Sequence, residues 1–283
     1  MAAAVTVTDL RKTYGPVEAV RGISFEVEAG EVFGLLGPNG AGKTTTVEIL
    51  EGYRRRDGGS VSVLGADPGQ ADQAWRERIG IVLQSSAMWP NLTVTEHVGL
   101  FAGYFKEPRD VDEVVELVGL DDKRGARVKT LSGGQKRRLD LALGLVGDPE
   151  ILFLDEPTTG FDPAARRAAW AMIRSLREFG KTVLLTTHYL DEAEQLADRV
   201  AVLRGGRIVA LGKPGELTGR RVATEIRYRR GGEEVVVETH EPTRVLHELT
   251  AKALAEGVEL DGLQVRRPTL EEIYLELTGD DAG

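Results

Sequence analysis

Apolar positions change their period along the 283-residue chain, and each change marks a different kind of element. The N-terminal third is short and strand-like. Residues 5–8 (Val-Thr-Val-Thr) alternate, and residues 23–27 follow in the same period. Residues 32–36 (VFGLL) form a nearly unbroken apolar run, as expected of a strand buried on both faces. Residues 42–50 predict a helix, 60–64 a strand, and 79–83 a short strand ending at Gln84. From about Thr93 to Gly147 the spacing is helical, with candidates at 94–105, 111–118 and 133–146. Strand and helix then alternate, with strands at 151–154 and 182–186 and helices at 164–179 and 190–197. Runs at 200–203 and 207–211 flank Arg204-Gly205-Gly206, a hairpin signal. The pattern is an α/β core with a helical block inserted into it.

A turn-rich stretch, GKPGELTGRR at 212–221, predicts a boundary. The expected organisation is one large domain over 1–220, with a helical subdomain at about 85–147, and a small α+β domain over 221–283. The latter holds strands near 223–228 and 234–238, a helix near 243–255, another strand and a last helix at 270–277. No internal repeat is evident.

Charge narrows the partners. With 36 Lys and Arg against 45 Asp and Glu the net charge is −9, so no nucleic acid is expected as a partner. The basic cluster Arg54-Arg55-Arg56 reads as a solvated loop. The absence of cysteine excludes disulfides and cysteine-ligated zinc. The opening MAAAVTVTDL lacks a basic segment followed by an apolar one, so no secretory signal is expected. Nor does any apolar run reach the ~18 residues that span a bilayer.

Chemistry enters at Gly37-Pro38-Asn39-Gly40-Ala41-Gly42-Lys43-Thr44, which fits G-x-x-x-x-G-K-[ST], the P-loop pattern. Glycines let the backbone turn tightly, so several amides can point at one anion, and the following helix adds its positive end. Lys43 would neutralise β- and γ-phosphates, and the Thr44 hydroxyl would ligate Mg²⁺. The loop follows the apolar 32–36 run and precedes a helix, as this pattern requires. ILFLDE at 151–156 then supplies two carboxylates. An apolar strand, expected beside the P-loop strand, would deliver Asp155 to the metal shell at its carboxyl end. Glu156 would polarise an attacking water.

A second glycine-rich helix start, Leu131-Ser132-Gly133-Gly134-Gln135, raises a different question. Ser-x-x-Gln is a capping box, with Ser132 bonding the Gln135 amide and the glutamine reaching back. Capping and anion binding are compatible, because the two glycines leave their amides bare. The chain therefore carries two phosphate seats.

Tyr14, GPNGAGKTT, Gln84, LSGGQ, ILFLDEP, Asp162 and His188 occur in the order and spacing of an ABC-transporter ATP-binding subunit, which residues 1 to about 220 resemble. The resemblance implies a P-loop NTPase core with an antiparallel β subdomain and a helical subdomain. It implies an ATPase that works as a homodimer, the Leu131–Gln135 seat of each chain capping the ATP held by its neighbour's P-loop. ATP would then be held by Tyr14, stacked on adenine or else packed in the core, by residues 37–44 with Thr45, and by Gln84. Gln84 would also sense Mg²⁺, alongside Thr44 and Asp155. His188 would touch the γ-phosphate and hold Glu156, and Asp162 would reach across the dimer. A leucine is commoner in the family where Phe161 stands. His97, His240 and His247 carry no such role.

Within the superfamily, the stretch from 186 to 217 and PTLEEIYLELTG at 268–279 resemble the daunorubicin-resistance type of drug and antibiotic exporters. That implies a peripheral subunit at the cytoplasmic membrane face, partnered by a separately encoded permease. Residues 84–90 and the helix from Thr93 would form the permease-docking cleft, with Met88 and Trp89 either anchors there or buried within the block. Alternatives are an importer subunit, a soluble ABC ATPase acting on nucleic acid or ribosomes, and a nucleotide switch without turnover.

Overall fold

The computed structural model describes residues 3–83, 88–220, 224–230 and 233–266. They fall into two units that meet between Leu211 and Gly212.

In the first unit three strands, β1 (Ala3–Tyr14), β2 (Val17–Glu28) and β4 (Gly58–Val63), form an antiparallel sheet in the order β2-β1-β4. Between the last two lie β3 (Val32–Leu36) and α1 (Lys43–Leu50). After β4 come a short helix α2 (Gln73–Arg76) and β5 (Ile79–Val82). The helical block follows as α3 (Val94–Ala102), α4 (Val111–Leu117) and α5 (Gly133–Leu145). The chain then alternates through β6 (Ile151–Asp155), α6 (Pro163–Glu178), β7 (Thr182–Thr187), α7 (Leu190–Leu196), β8 (Arg199–Arg204) and β9 (Arg207–Gly212). Gly205 and Gly206, both at positive φ, make the turn between β8 and β9, a conformation that costs glycine little.

The central sheet runs β5-β6-β7-β3-β8-β9, with β5 through β8 parallel. This corrects the expected neighbourhood of the P-loop strand. β7 separates β3 from β6, so Asp155 arrives one strand further away. The runs at 32–36, 151–154 and 182–187 are all fully apolar or buried, and their composition carries no lateral order. Alternation within them sets the layers instead. Leu152, Leu154, Val183 and Leu185 face one core with helices of the inserted block and α6, whereas Ile151, Phe153 and Leu184 face the other with α1 and the antiparallel sheet.

The second unit contains α8 (Pro214–Arg220), β10 (Thr224–Arg230), β11 (Glu233–Thr239), α9 (Pro242–Glu256) and β12 (Asp261–Arg266), with the three strands ordered β11-β10-β12 and antiparallel. The turn-rich reading of 212–221 missed α8, which opens with Pro214 at its first position, where a proline's missing N–H costs nothing. The helix expected at 270–277 lies outside the described residues. Among the described residues no helix is long and apolar enough to cross a membrane.

One stacked aromatic pair joins the two sheets of the first unit. Phe25 on β2 and Phe33 on β3 lie 5.3 Å apart and within 8° of parallel, and Phe33 is fully buried. Phe33→Ala is expected to destabilise the fold by about 3–5 kcal/mol through lost burial and the cavity left behind, measured by urea denaturation.

Candidate active site

The P-loop, Asp155, Glu156 and His188 all lie at the ends of parallel strands. β3 runs out at Leu36 and the chain turns through Gly37–Gly42 into α1. Gly42 sits at φ 101°, and a Cβ there would stand 2.5 Å from the Ala19 carbonyl oxygen, so only glycine fits. A Cβ on Gly37 would collide with the Leu203 carbonyl. The loop is tied to its neighbours by Gly37 N–H to Thr187 O (3.3 Å) and Gly206 N–H to Ala41 O (3.2 Å). Lys43 is buried and folds back, its Nζ donating to the carbonyls of Gly37 (2.7 Å) and Pro38 (3.2 Å). Burial pulls its pKa down, opposed by the charges of Glu156 and Asp155. Tyr14, Pro38, Asn39, Lys43, Thr44, Thr45 and Glu156 are among the residues lining one cleft of about 430 Å³. Tyr14 is the last residue of β1 and 37% exposed, with the cations of Lys12 and Arg54 over its ring, which places it at the cleft mouth and not in the core.

Asp155 ends β6, paired in register with Thr186 of β7. The Thr186 hydroxyl donates to Asp155 Oδ1 and accepts the Glu156 amide (3.0 Å). Glu156 adopts φ 46°, a left-handed conformation costing a non-glycine residue about 1–2 kcal/mol. The turn aims its carboxylate back toward the end of β7. There Oε1 meets His188 Nδ1 at 3.1 Å, and Oε2 accepts from the Thr159 hydroxyl at 3.1 Å. Thr44 at the start of α1 and Asp155 offer two oxygen donors of the kind Mg²⁺ takes alongside substrate phosphates, so a dedicated all-protein cage is not required. Gln84 lies outside the described residues.

The capping box expected at Ser132 and Gln135 is present. Ser132 accepts from Gln135 N–H (3.3 Å), Gln135 Oε1 accepts from Ser132 N–H (2.9 Å), and nothing crowds Gly133. Leu131 is buried beneath it. Ser132, Gly134, Phe161 and Asp162 line a separate cleft of about 500 Å³ that shares no residue with the P-loop cleft. Asp162 has a local duty that the sequence reading missed: its carboxylate caps α6, accepting from the amides of Ala164 and Ala165. Thr159, Thr186 and Arg137 were also missed. No motif marks the threonines, and Arg137 is hidden inside a basic run.

A third concavity, of about 460 Å³, lies between the core and the helical block, with Glu51, Tyr53, Ile81, Phe101 and Phe105 on its walls. Burial and nearby carboxylates push the Glu51 carboxyl up to about 8. Trp89 is 49% exposed and packs edge-on to His97 and Phe101, while Met88 is partly buried against the block.

Comparison with known proteins gives the family and the fold. A model of the ABC transporter family matches residues 20–159, and one described as the ABC transporter domain-containing protein-like C-terminal domain matches 216–269. The Nod factor export ATP-binding protein I of Rhizobium etli is 40% identical over 98% of this chain and 93% of its own length. The daunorubicin resistance ATP-binding protein DrrA3 of Streptomyces coeruleorubidus is 40% identical over 98% and 96%. Among solved structures, an ATP-binding subunit of an ABC transporter aligns with a TM-score of 0.71 over 97% of this chain and 99% of that one, at 23% identity. A dimeric ATP-binding cassette in a post-hydrolysis state with ADP and Pi aligns at TM-score 0.66 and 25% identity, covering 74% and 98%. At 40% identity along nearly the whole of both chains, this protein belongs to the ABC transporter family, among its ATP-binding subunits.

Proposed function

We propose that the chain is the ATP-hydrolysing subunit of an exporter of small molecules, acting as a homodimer at the cytoplasmic face of the membrane through a separately encoded permease. The observation that carries the reading is the Glu156–His188 pair, 3.1 Å apart, with Glu156 lining the P-loop cleft. A carboxylate aimed by a strained turn and held by an imidazole suits a base that must take a proton from water. Export is supported by the two relatives whose names specify export of Nod factor and resistance to daunorubicin.

In this reading the amides of 39–44 and the positive end of α1 receive the β- and γ-phosphates. Lys43 exchanges its two loop carbonyls for phosphate oxygens. Tyr14 stacks on the adenine and Thr45 lines the same cleft. The hydroxyl of Thr44 and the carboxylate of Asp155 would hold Mg²⁺, joined by Gln84, and the ion when bound neutralises charge on the phosphate oxygens. Glu156 orients a water and accepts its proton as the oxygen attacks the γ-phosphorus and the bond to ADP breaks. His188 keeps the carboxylate in place and faces the γ-phosphate. The Leu131–Gln135 seat and Asp162 serve the partner's nucleotide, so loss of the γ-phosphate removes contacts that exist only in the closed dimer. The groove walled by Tyr53, Phe101 and Phe105 would receive a permease segment, with Trp89 beside it, and the second unit would serve as an accessory domain.

Glu156→Gln is expected to lower ATP turnover by at least about 10²-fold while leaving an ATP-bound dimer on size-exclusion chromatography. A variant that binds ATP yet stays monomeric would count against the shared site. Mixing Lys43→Ala with Ser132→Arg protomers tests the same arrangement from another side. Each heterodimer keeps one intact composite site, so ATP trapping should return on mixing. Isolated heterodimers that trap none would refute the arrangement.

A further inference from the structure

Arg137 stands on α5 one turn beyond the exposed seat at Ser132 and Gly133, yet its side chain is only 12% exposed. Its guanidinium reaches three backbone carbonyls. Nε donates to Pro157 O (3.0 Å), Nη2 to Asp155 O (3.2 Å), and Nη1 to Leu83 O, just past the end of β5. Asp140, one turn on along α5, lies 3.8 Å from Nη1 and balances the charge. Residues 155 and 157 flank Glu156. One edge of a single planar fork thus grips the chain immediately before and after the residue at φ 46°. The same side chain shares a cleft of about 500 Å³ with Glu156 and Gly133.

Glu156 has other restraints, but they act differently. Thr186 fixes its amide, while His188 and Thr159 hold its carboxylate. Among the described contacts, Arg137 is the side chain that joins both flanking carbonyls to the helix carrying the second seat. Without it the strained turn could relax toward an ordinary extended or helical conformation and carry the carboxylate away from its water.

We infer that Arg137 is a positioning residue for the hydrolytic step, fixing the backbone of Glu156 to the helix that presents Leu131–Gln135. This rests on the proposed role of Glu156 as base. A lysine cannot reproduce the contact, because one ammonium cannot address three carbonyls in a plane.

The test uses the full-length chain, with phosphate release for turnover and a fluorescent ATP analogue for binding. Arg137→Gln should lower kcat by about 10–100-fold, the loss expected when a reacting group moves by about an ångström. Arg137→Lys should fall between it and the parent, and KM and the analogue's Kd should stay within about threefold in both. Adding Arg137→Gln to Glu156→Gln should cost less than about twofold further, since both act on the same step. If Glu156→Gln abolishes turnover while Arg137→Gln keeps kcat within about twofold of the parent, the inference fails and the reading of Glu156 stands. If Glu156→Gln remains active, the reading itself fails and the inference with it. Parallel loss of kcat and nucleotide affinity, or melting of both Arg137 variants below the assay temperature, would leave the contact a purely structural brace and also overturn the inference.

Discussion

The site depends on the register of two parallel strands. Asp155 of β6 stands opposite Thr186 of β7, and one hydroxyl serves both Asp155 Oδ1 and the amide of Glu156. Shifting that pairing by one residue would put Thr187 or Leu185 opposite Asp155 and turn the hydroxyl to the other face. Register here is protected by burial on both sides, since Leu152, Leu154, Val183 and Leu185 fill one core and Phe153 and Leu184 the other. The apolar interior therefore decides where Asp155 stands and where the Glu156 carboxylate meets an imidazole.

Electrostatics at the strand ends is arranged around groups that are ready to change partners. Lys43 is buried but its donors rest on carbonyls of its own loop, contacts that a phosphate replaces in the proposed function. Its ammonium is disfavoured by burial and favoured by Glu156 and Asp155, a balance that added negative charge would tilt further toward the cation. Glu156, by contrast, is locked from several directions.

The sequence pattern located nearly every element of the first unit, because apolar runs and glycine-bounded helices are local signals. β3 spans the expected 32–36, and the helices of the inserted block begin at their expected residues, two of them at capping boxes. What stayed illegible was lateral. Three strands buried on both faces look alike in composition, so nothing in 151–154 indicated that β7 would lie between them and the P-loop strand. The site shows the same division. Gly42, Lys43, Thr44, Asp155 and Glu156 sit in contiguous motifs, whereas Thr186 and Arg137 act through partners about 20 to 50 residues away and have no motif of their own. Asp162 was legible as a residue of interest, but its capping of α6 required knowing where that helix starts.

The segment between Glu156 and Asp162 is braced from below as well. Thr158 is fully buried, and its hydroxyl donates to Glu192 Oε1 at 2.6 Å. The same oxygen accepts from Trp170 Nε1 at 3.1 Å. Glu192 belongs to α7, two residues into the helix that follows His188, and Trp170 to α6, whose first turn Asp162 caps. One buried side chain thereby connects the turn after β6 to α7, which follows His188, and to α6, which Asp162 caps. The result is a loop whose ends differ in kind. At Glu156 it is held by Arg137, Thr186 and His188 within one chain, and at Asp162 it opens onto the cleft beside Ser132 and Gly134 at the capped start of α5.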